Sequence, residues 1–183
     1  MNLLREYIRG QLVVIPPPPD VETRVKELEY IIKRREKPVT SPEYSDILDR
    51  GIPHIFEQIL STAGVSGSLE AIDALKDEIK PEIYFHKKHF GEPRPNELAE
   101  VLGISFDYDY LESAQTPSYP SGHTAQAFYI AYCLSAKFPD LRHLFLRAAE
   151  LIAESRIDRG VHFPSDNEAG KLLAYELFKR RAL

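Results

Sequence analysis

The chain has 183 residues, enough for one domain with a substantial core and few for two. It is 43% hydrophobic and 28% charged, ordinary for a soluble globular protein, and its single cysteine, Cys133, excludes an intrachain disulfide. The formal net charge of −5 provides no overall cationic field, which argues against nucleic acid as the main partner.

Residues 1–19 are expected to form an extended, proline-rich lead-in and residues 20–183 a helical domain. The segment MNLLREYIRG interrupts its apolar residues with Arg5, Glu6 and Arg9 and has no small-residue cleavage site. No stretch approaches the ~18 apolar residues that would cross a bilayer. The chain thus reads as cytoplasmic with no membrane partner, or as periplasmic if a leader was removed. LVVIPPPPD favours polyproline II and forbids helix.

Asp20 then caps a helix carrying Val21, Val25, Leu28, Ile31 and Ile32 at helical spacing. Ser41-Pro42 opens a second run to about Leu60, with a break at Gly51-Ile52-Pro53. Ser68 caps a third, which Pro81 kinks or restarts before YFHKKHF. Residues 91–120 are the least regular, with one short helix at NELAEVLG. Helical signals return from Gly122 to about Phe138, from Pro139-Asp140 to about Ile157, and from Pro164 onward. Sustained alternation of β-branched residues is scarce, so strands are minor at most. The expectation is an all-α, single-domain bundle of six or seven helices, whose long amphipathic faces leave room for a homodimer.

Three clusters carry chemistry. KKHFGEPRP places Lys87 at a helix end and Arg94 beyond a glycine turn, with Pro95 fixing the backbone beside Arg94. Pro120-Ser121-Gly122-His123 starts a helix, where free N–H groups accept an anion, Gly122 permits close approach and His123 titrates near neutrality. SRIDRGVHFPSD brings Arg156, the turn at Gly160, His162, and Asp166 one helical turn later. A carboxylate there can hold one imidazole nitrogen and leave the other free. Each cluster alone also reads as an ordinary charged or capped helix end. Together they supply three cations, helix-start amides, and two histidines suited to nucleophile and acid, an inventory that fits phosphoryl transfer.

Lys87 with Arg94-Pro95, then Pro120-Ser121-Gly122-His123, then Ser155-Arg156 with His162 and Asp166, resembles the three-part signature of the type 2 phosphatidic-acid phosphatase superfamily. That superfamily includes vanadium-dependent haloperoxidases and soluble bacterial class A acid phosphatases. VVIPPPPD, SYPSGHT and the helical tail are most similar to the latter.

The resemblance implies an acid phosphatase/vanadium haloperoxidase-like fold and a metal-independent phosphatase acting on a small-molecule phosphate ester, with transfer to alcohols as a related activity. His162 would be the nucleophile, forming a phosphohistidine, with Asp166 orienting it and His123 as general acid. Lys87, Arg94, Ser121, Gly122 and Arg156 would bind phosphate. No cofactor or metal is implied, vanadate would bind as a phosphate analogue, and His86 with His89 is not expected to ligate a metal. The competing readings are a vanadate-dependent haloperoxidase, a diphosphate or lipid phosphatase, and a non-enzymatic phosphate binder.

Two departures stand out. Asp158 and Arg159 are charged where relatives tend to carry apolar or small residues. FDYDYLES, residues 106–113, is acidic and aromatic. If it borders the site, Asp107, Asp109 and Glu112 would disfavour highly anionic substrates, and Tyr108, Tyr110 and Tyr119 would stack on a ring; the alternative, and the leading expectation, is a solvated loop.

Overall fold

The computed structural model describes residues 12–181; the reading of residues 1–11 above lies outside them, as do residues 182 and 183. Local chemistry sets the helix starts. Asp20 accepts from the Thr23 amide at 2.9 Å and opens α1 (Val21–Arg35). Ser41 accepts from the Tyr44 amide at 3.3 Å, with Pro42 in the first turn of α2 (Pro42–Arg50). Gly51 alone separates α2 from α3 (Ile52–Thr62). Ser68 caps α4 (Leu69–Glu78), and after Ile79 the chain restarts as α5 (Lys80–Phe90), since Pro81 has no amide hydrogen to continue the previous turn. Then follow α6 (Pro95–Leu102), α7 (Gly122–Lys137), α8 (Arg142–Asp158) and α9 (Pro164–Arg181), with single 3₁₀ turns at Glu112–Ala114 and Pro139–Leu141.

Counted as runs, with α2–α3 and α4–α5 each broken at one residue, the helices of the described residues number seven, within the expected six or seven. No strand occurs among the described residues.

The central element is α7. Ala125, Ala127, Phe128, Tyr129, Ile130, Ala131 and Leu134 are all buried, so the helix is covered on nearly every side. It packs chiefly against α8 and α9, and also against α3, α4 and α5. Small residues allow the close approach. A Cβ at Gly170 of α9 would lie 2.7 Å from the Ser121 carbonyl and 3.2 Å from the Ala125 amide, so only glycine fits there. The extended lead-in enters the same core through Val13 and Ile15, and Tyr119 Oη donates to the Pro16 carbonyl at 2.8 Å.

The two charged departures are structural. Asp158 is buried, and its carboxylate accepts from Arg34 Nε (2.7 Å), Thr40 Oγ1 (2.7 Å) and the amides of Thr40 (2.8 Å) and Val39 (3.1 Å). It ties α1 and the α1–α2 connection to the end of α8. Arg159 pairs with Asp46 and, at 2.9 Å, with Asp109. Removing a buried carboxylate with several donors strands those donors. Asp158→Ala should therefore lower the unfolding free energy by ~3–5 kcal/mol, read as a shift of the urea midpoint.

Candidate active site

The final turns of α8, the turn after it and the first turn of α9 meet the start of α7 and the end of α5. The Ser121 amide donates to the Asp166 carbonyl at 2.9 Å, and the α8 helix ends at Gly160, whose φ is 69°. A Cβ on Gly160 would also lie 2.8 Å from Phe106, so this reversal requires glycine twice over.

His162 and Asp166 are both buried, and His162 Nδ1 lies 3.0 Å from Asp166 Oδ2. Asp166 also accepts from the Phe163 amide (3.0 Å), from Ser118 Oγ, and from Arg24 Nη1 (2.9 Å, on Oδ1). An acceptor-only carboxylate on Nδ1 requires the hydrogen there and leaves Nε2 as the bare nitrogen. Nε2 lies 3.4 Å from Arg94 Nη1. Burial and the Arg94 charge hold the His162 pKa well below the ordinary 6.5, against the opposing pull of Asp166.

His162 lines a cavity of about 350 Å³ together with Lys87, Arg94, Gly122 and His123. Lys87 is buried at the end of α5, with Nζ donating to the carbonyls of Pro117 and Ser118 (3.1 Å to Ser118). Burial, then the neighbouring Arg94, pushes its pKa down to about 7. Arg94 is set in extended backbone by Pro95, while its amide donates to Glu97 at 2.7 Å. Its guanidinium donates to Thr116 O (2.8 Å) and Val161 O (2.6 Å), and burial lowers its pKa to about 10. Burial is the larger cause of both shifts, and a neighbouring guanidinium adds to it, Arg94 for Lys87 and Arg156 for Arg94.

Two of the expected phosphate ligands stand behind the cavity wall. Ser121 is fully buried and bonds Thr124 Oγ1 at 2.8 Å, satisfying the first turn of α7 as its cap. Arg156 is likewise fully buried, and its Nη1 donates to Asp49 Oδ1. Asp49 also accepts from Ser113 Oγ (2.8 Å), and its Oδ1 lies 3.2 Å from His123 Nε2. Burial lowers the pKa of both Arg156 and His123, and Asp49 opposes the shift in each case.

Reading the sequence missed Asp49, Arg24 and Ser118. Ser118 is the first residue of the quoted SYPSGHT, yet it was given no role there. Nothing local marks Asp49 or Arg24, which reach the site only through packing. His86 and His89 belong to an aromatic stack with Phe85 and Phe90.

The acidic segment is divided. Asp107 is almost fully exposed, and Asp109 pairs with Arg35 and Arg159. Tyr108 and Tyr110 border a neighbouring hollow, whereas Tyr119 is a core residue and cannot stack on a ligand. Only Glu112 and Ser113 of this segment reach the cavity, whose outer part also carries Arg50, Lys76 and Lys80. The expectation of an anion-repelling border is therefore corrected: long-range ion pairs draw its carboxylates elsewhere, and cations outnumber Glu112 at the mouth.

The chain is similar to several known proteins. The chain is 27% identical over 188 aligned positions to a non-specific acid phosphatase of Salmonella typhi, covering 96% of this chain and 74% of that protein. It is 24% identical to a non-specific acid phosphatase of Providencia stuartii, covering 89% and 70%. A lipid A 1-phosphatase of Rhizobium etli is 35% identical over 86 residues, 46% of this chain and 36% of that one. The crystal structure of a transmembrane PAP2 type phosphatidylglycerolphosphate phosphatase from Bacillus subtilis superposes with a TM-score of 0.53 at 19% identity. It covers 88% of this chain and 85% of that one, and it shows the fold. No helix among the described residues is long and apolar enough to cross a membrane. A family model matches residues 64–179, more than half of the sequence, and on that match the chain belongs to the PAP2 superfamily.

Proposed function

We propose that this chain is a metal-independent phosphatase that hydrolyses a small-molecule phosphate monoester through a phosphohistidine. The observation that carries the reading is His162, locked at Nδ1 by Asp166 and left with a bare Nε2 on a cationic cavity wall. A binding site alone needs no such nitrogen.

In the first step the Nε2 lone pair of His162 forms a bond to phosphorus. The bond from phosphorus to the ester oxygen breaks, and that oxygen takes its electron pair and a proton from His123. In the second step water gives a proton to His123 and attacks phosphorus, and the P–N bond breaks to release phosphate and restore His162. An alcohol replacing water gives phosphoryl transfer instead. Lys87, Arg94 and the Gly122 amide hold the equatorial oxygens, with Arg156 behind them and Ser121 setting the start of α7. These cations stabilise the charge for which other phosphatases use metal. Kinship with acid phosphatases over most of the chain supports the same reading.

His162→Ala should lower turnover of an aryl phosphate by more than about 10³-fold while the far-ultraviolet circular dichroism stays helical. A chelator should leave the wild-type rate unchanged, and orthovanadate should inhibit competitively. Wild-type inactivity at every pH would sink the proposal.

The pH profile of kcat/KM should be a bell lying on the acid side of the ordinary histidine value. His162 must be neutral, and its depressed pKa keeps it so well below 6.5. His123 must be protonated, and its lowered pKa causes the alkaline fall. Above about pH 7 the site also loses the Lys87 charge, so KM should rise there.

At the mouth, Lys76 and Lys80 are tied to Asp73 and Asp77 on the same helical run, whereas Arg50 has no ion pair among the described residues. Esters bearing a second negative charge should compete better than neutral ones at low salt, and the advantage should shrink with added salt and in Arg50→Ala. Competition assays across esters of differing charge would detect this, and indifference to charge would refute it.

A further inference from the structure

One partly buried carboxylate outside the signature touches the site. Asp49, near the end of α2, precedes the residues 64–179 that match the family. Its Oδ1 accepts from Arg156 and Ser113 and lies 3.2 Å from His123 Nε2, and its own carbonyl lies 3.1 Å from the same nitrogen. Two acceptors on one nitrogen require the hydrogen there, so Nε2 is the donor and Nδ1 is the ring nitrogen left for the substrate.

The relation is the mirror of His162, which is held at Nδ1 and reacts at Nε2. Charge adds a second reason. Protonated His123 would stand near the fully buried Arg156 cation, and two such charges in a poorly solvated site repel unless an anion lies between them. Asp49 contacts both.

We propose that Asp49 is the positioning residue of the general acid, orienting His123 through Nε2 and offsetting Arg156 so that Nδ1 carries the proton to the leaving oxygen. The inference rests on the phosphatase reading. Asp49 keeps the Nε2 hydrogen bond throughout; only the Nδ1 proton moves, as the P–O bond breaks and the P–N bond to His162 forms.

Aspartate-to-asparagine substitution keeps the shape and removes the charge. A poor leaving group needs the proton and a good one does not, so the two kinds of ester separate acid positioning from general damage. With a simple alkyl phosphate, kcat of Asp49→Asn should fall by ~10–100-fold, and with 2,4-dinitrophenyl phosphate by less than about 3-fold. In the His123→Gln background, Asp49→Asn should cost nothing further with the alkyl ester.

Equal losses on both esters, or losses that multiply in the double variant, overturn the inference while leaving the phosphatase reading intact. Wild type inert to both esters overturns the two together. Should Asp49→Asn fail to fold, nitrogen-15 spectra of wild-type histidines, assigned against His123→Gln, decide the matter. Neutral His123 protonated at Nε2 supports the inference, and protonation at Nδ1 overturns it.

Discussion

The site is built around one buried carboxylate. Asp166 has no exposed surface, and a charge so placed is tolerable only when its lone pairs are filled. Here they are filled from three parts of the chain: Arg24 on α1, Ser118 in the segment before α7, and His162 with the Phe163 amide around the α9 start. The Arg24 guanidinium lies over Phe163, 4.5 Å from the ring centre, so the cation is sheltered as well as paired. The Asp166 carbonyl accepts from the Ser121 amide, which sets the start of α7. Orientation of the His162 ring and alignment of four chain segments thus depend on one side chain and its main chain.

Electrostatics divides the two histidines. His162 faces Arg94 and Lys87, and its depressed pKa favours the neutral ring that the proposed mechanism requires. His123 contacts a carboxylate that also meets Arg156, an arrangement in which a protonated ring is better compensated. The same side chain is suited to opposite roles by which nitrogen is tied and by the sign of its neighbours. The cavity cations are under strain of another kind: Lys87 and Arg94 are both lowered by burial and by a neighbouring guanidinium, Arg94 in the first case and Arg156 in the second, and an oxyanion relieves both. A pocket preorganised in this way need not reorganise when charge develops on phosphorus.

Asp158 and Arg159 show how one chain settles its own packing. Asp158 follows Arg156 by two residues and turns away from the site to join α1 and the α1–α2 connection. Arg159 draws Asp109 with it, which removes that carboxylate from the cavity. Both residues act by holding the shell in which the reacting groups sit.

What the sequence by itself determined is local. Asp20, Ser41 and Ser68 mark helix starts because a side-chain oxygen three residues ahead of an amide needs no distant partner. Gly51 and Pro81 mark the breaks for equally local reasons. His162 and Asp166 meet because Asp166, in the first turn of α9, reaches back over the helix start to the Phe163 amide and the His162 ring, and Lys87, Arg94 and His123 were legible from motif spacing. Tertiary structure alone decided the rest. Asp49 lies 107 residues from Arg156, and Arg24 lies 142 from Asp166, at positions where nothing nearby distinguishes them from solvated charges on a helix. It also set Ser121 and Arg156 behind the wall and steered Asp107, Asp109 and Tyr119 away from the cavity. A carboxylate or guanidinium takes its meaning from whichever opposite charge the packing brings within 3 Å, and no local pattern encodes that distance.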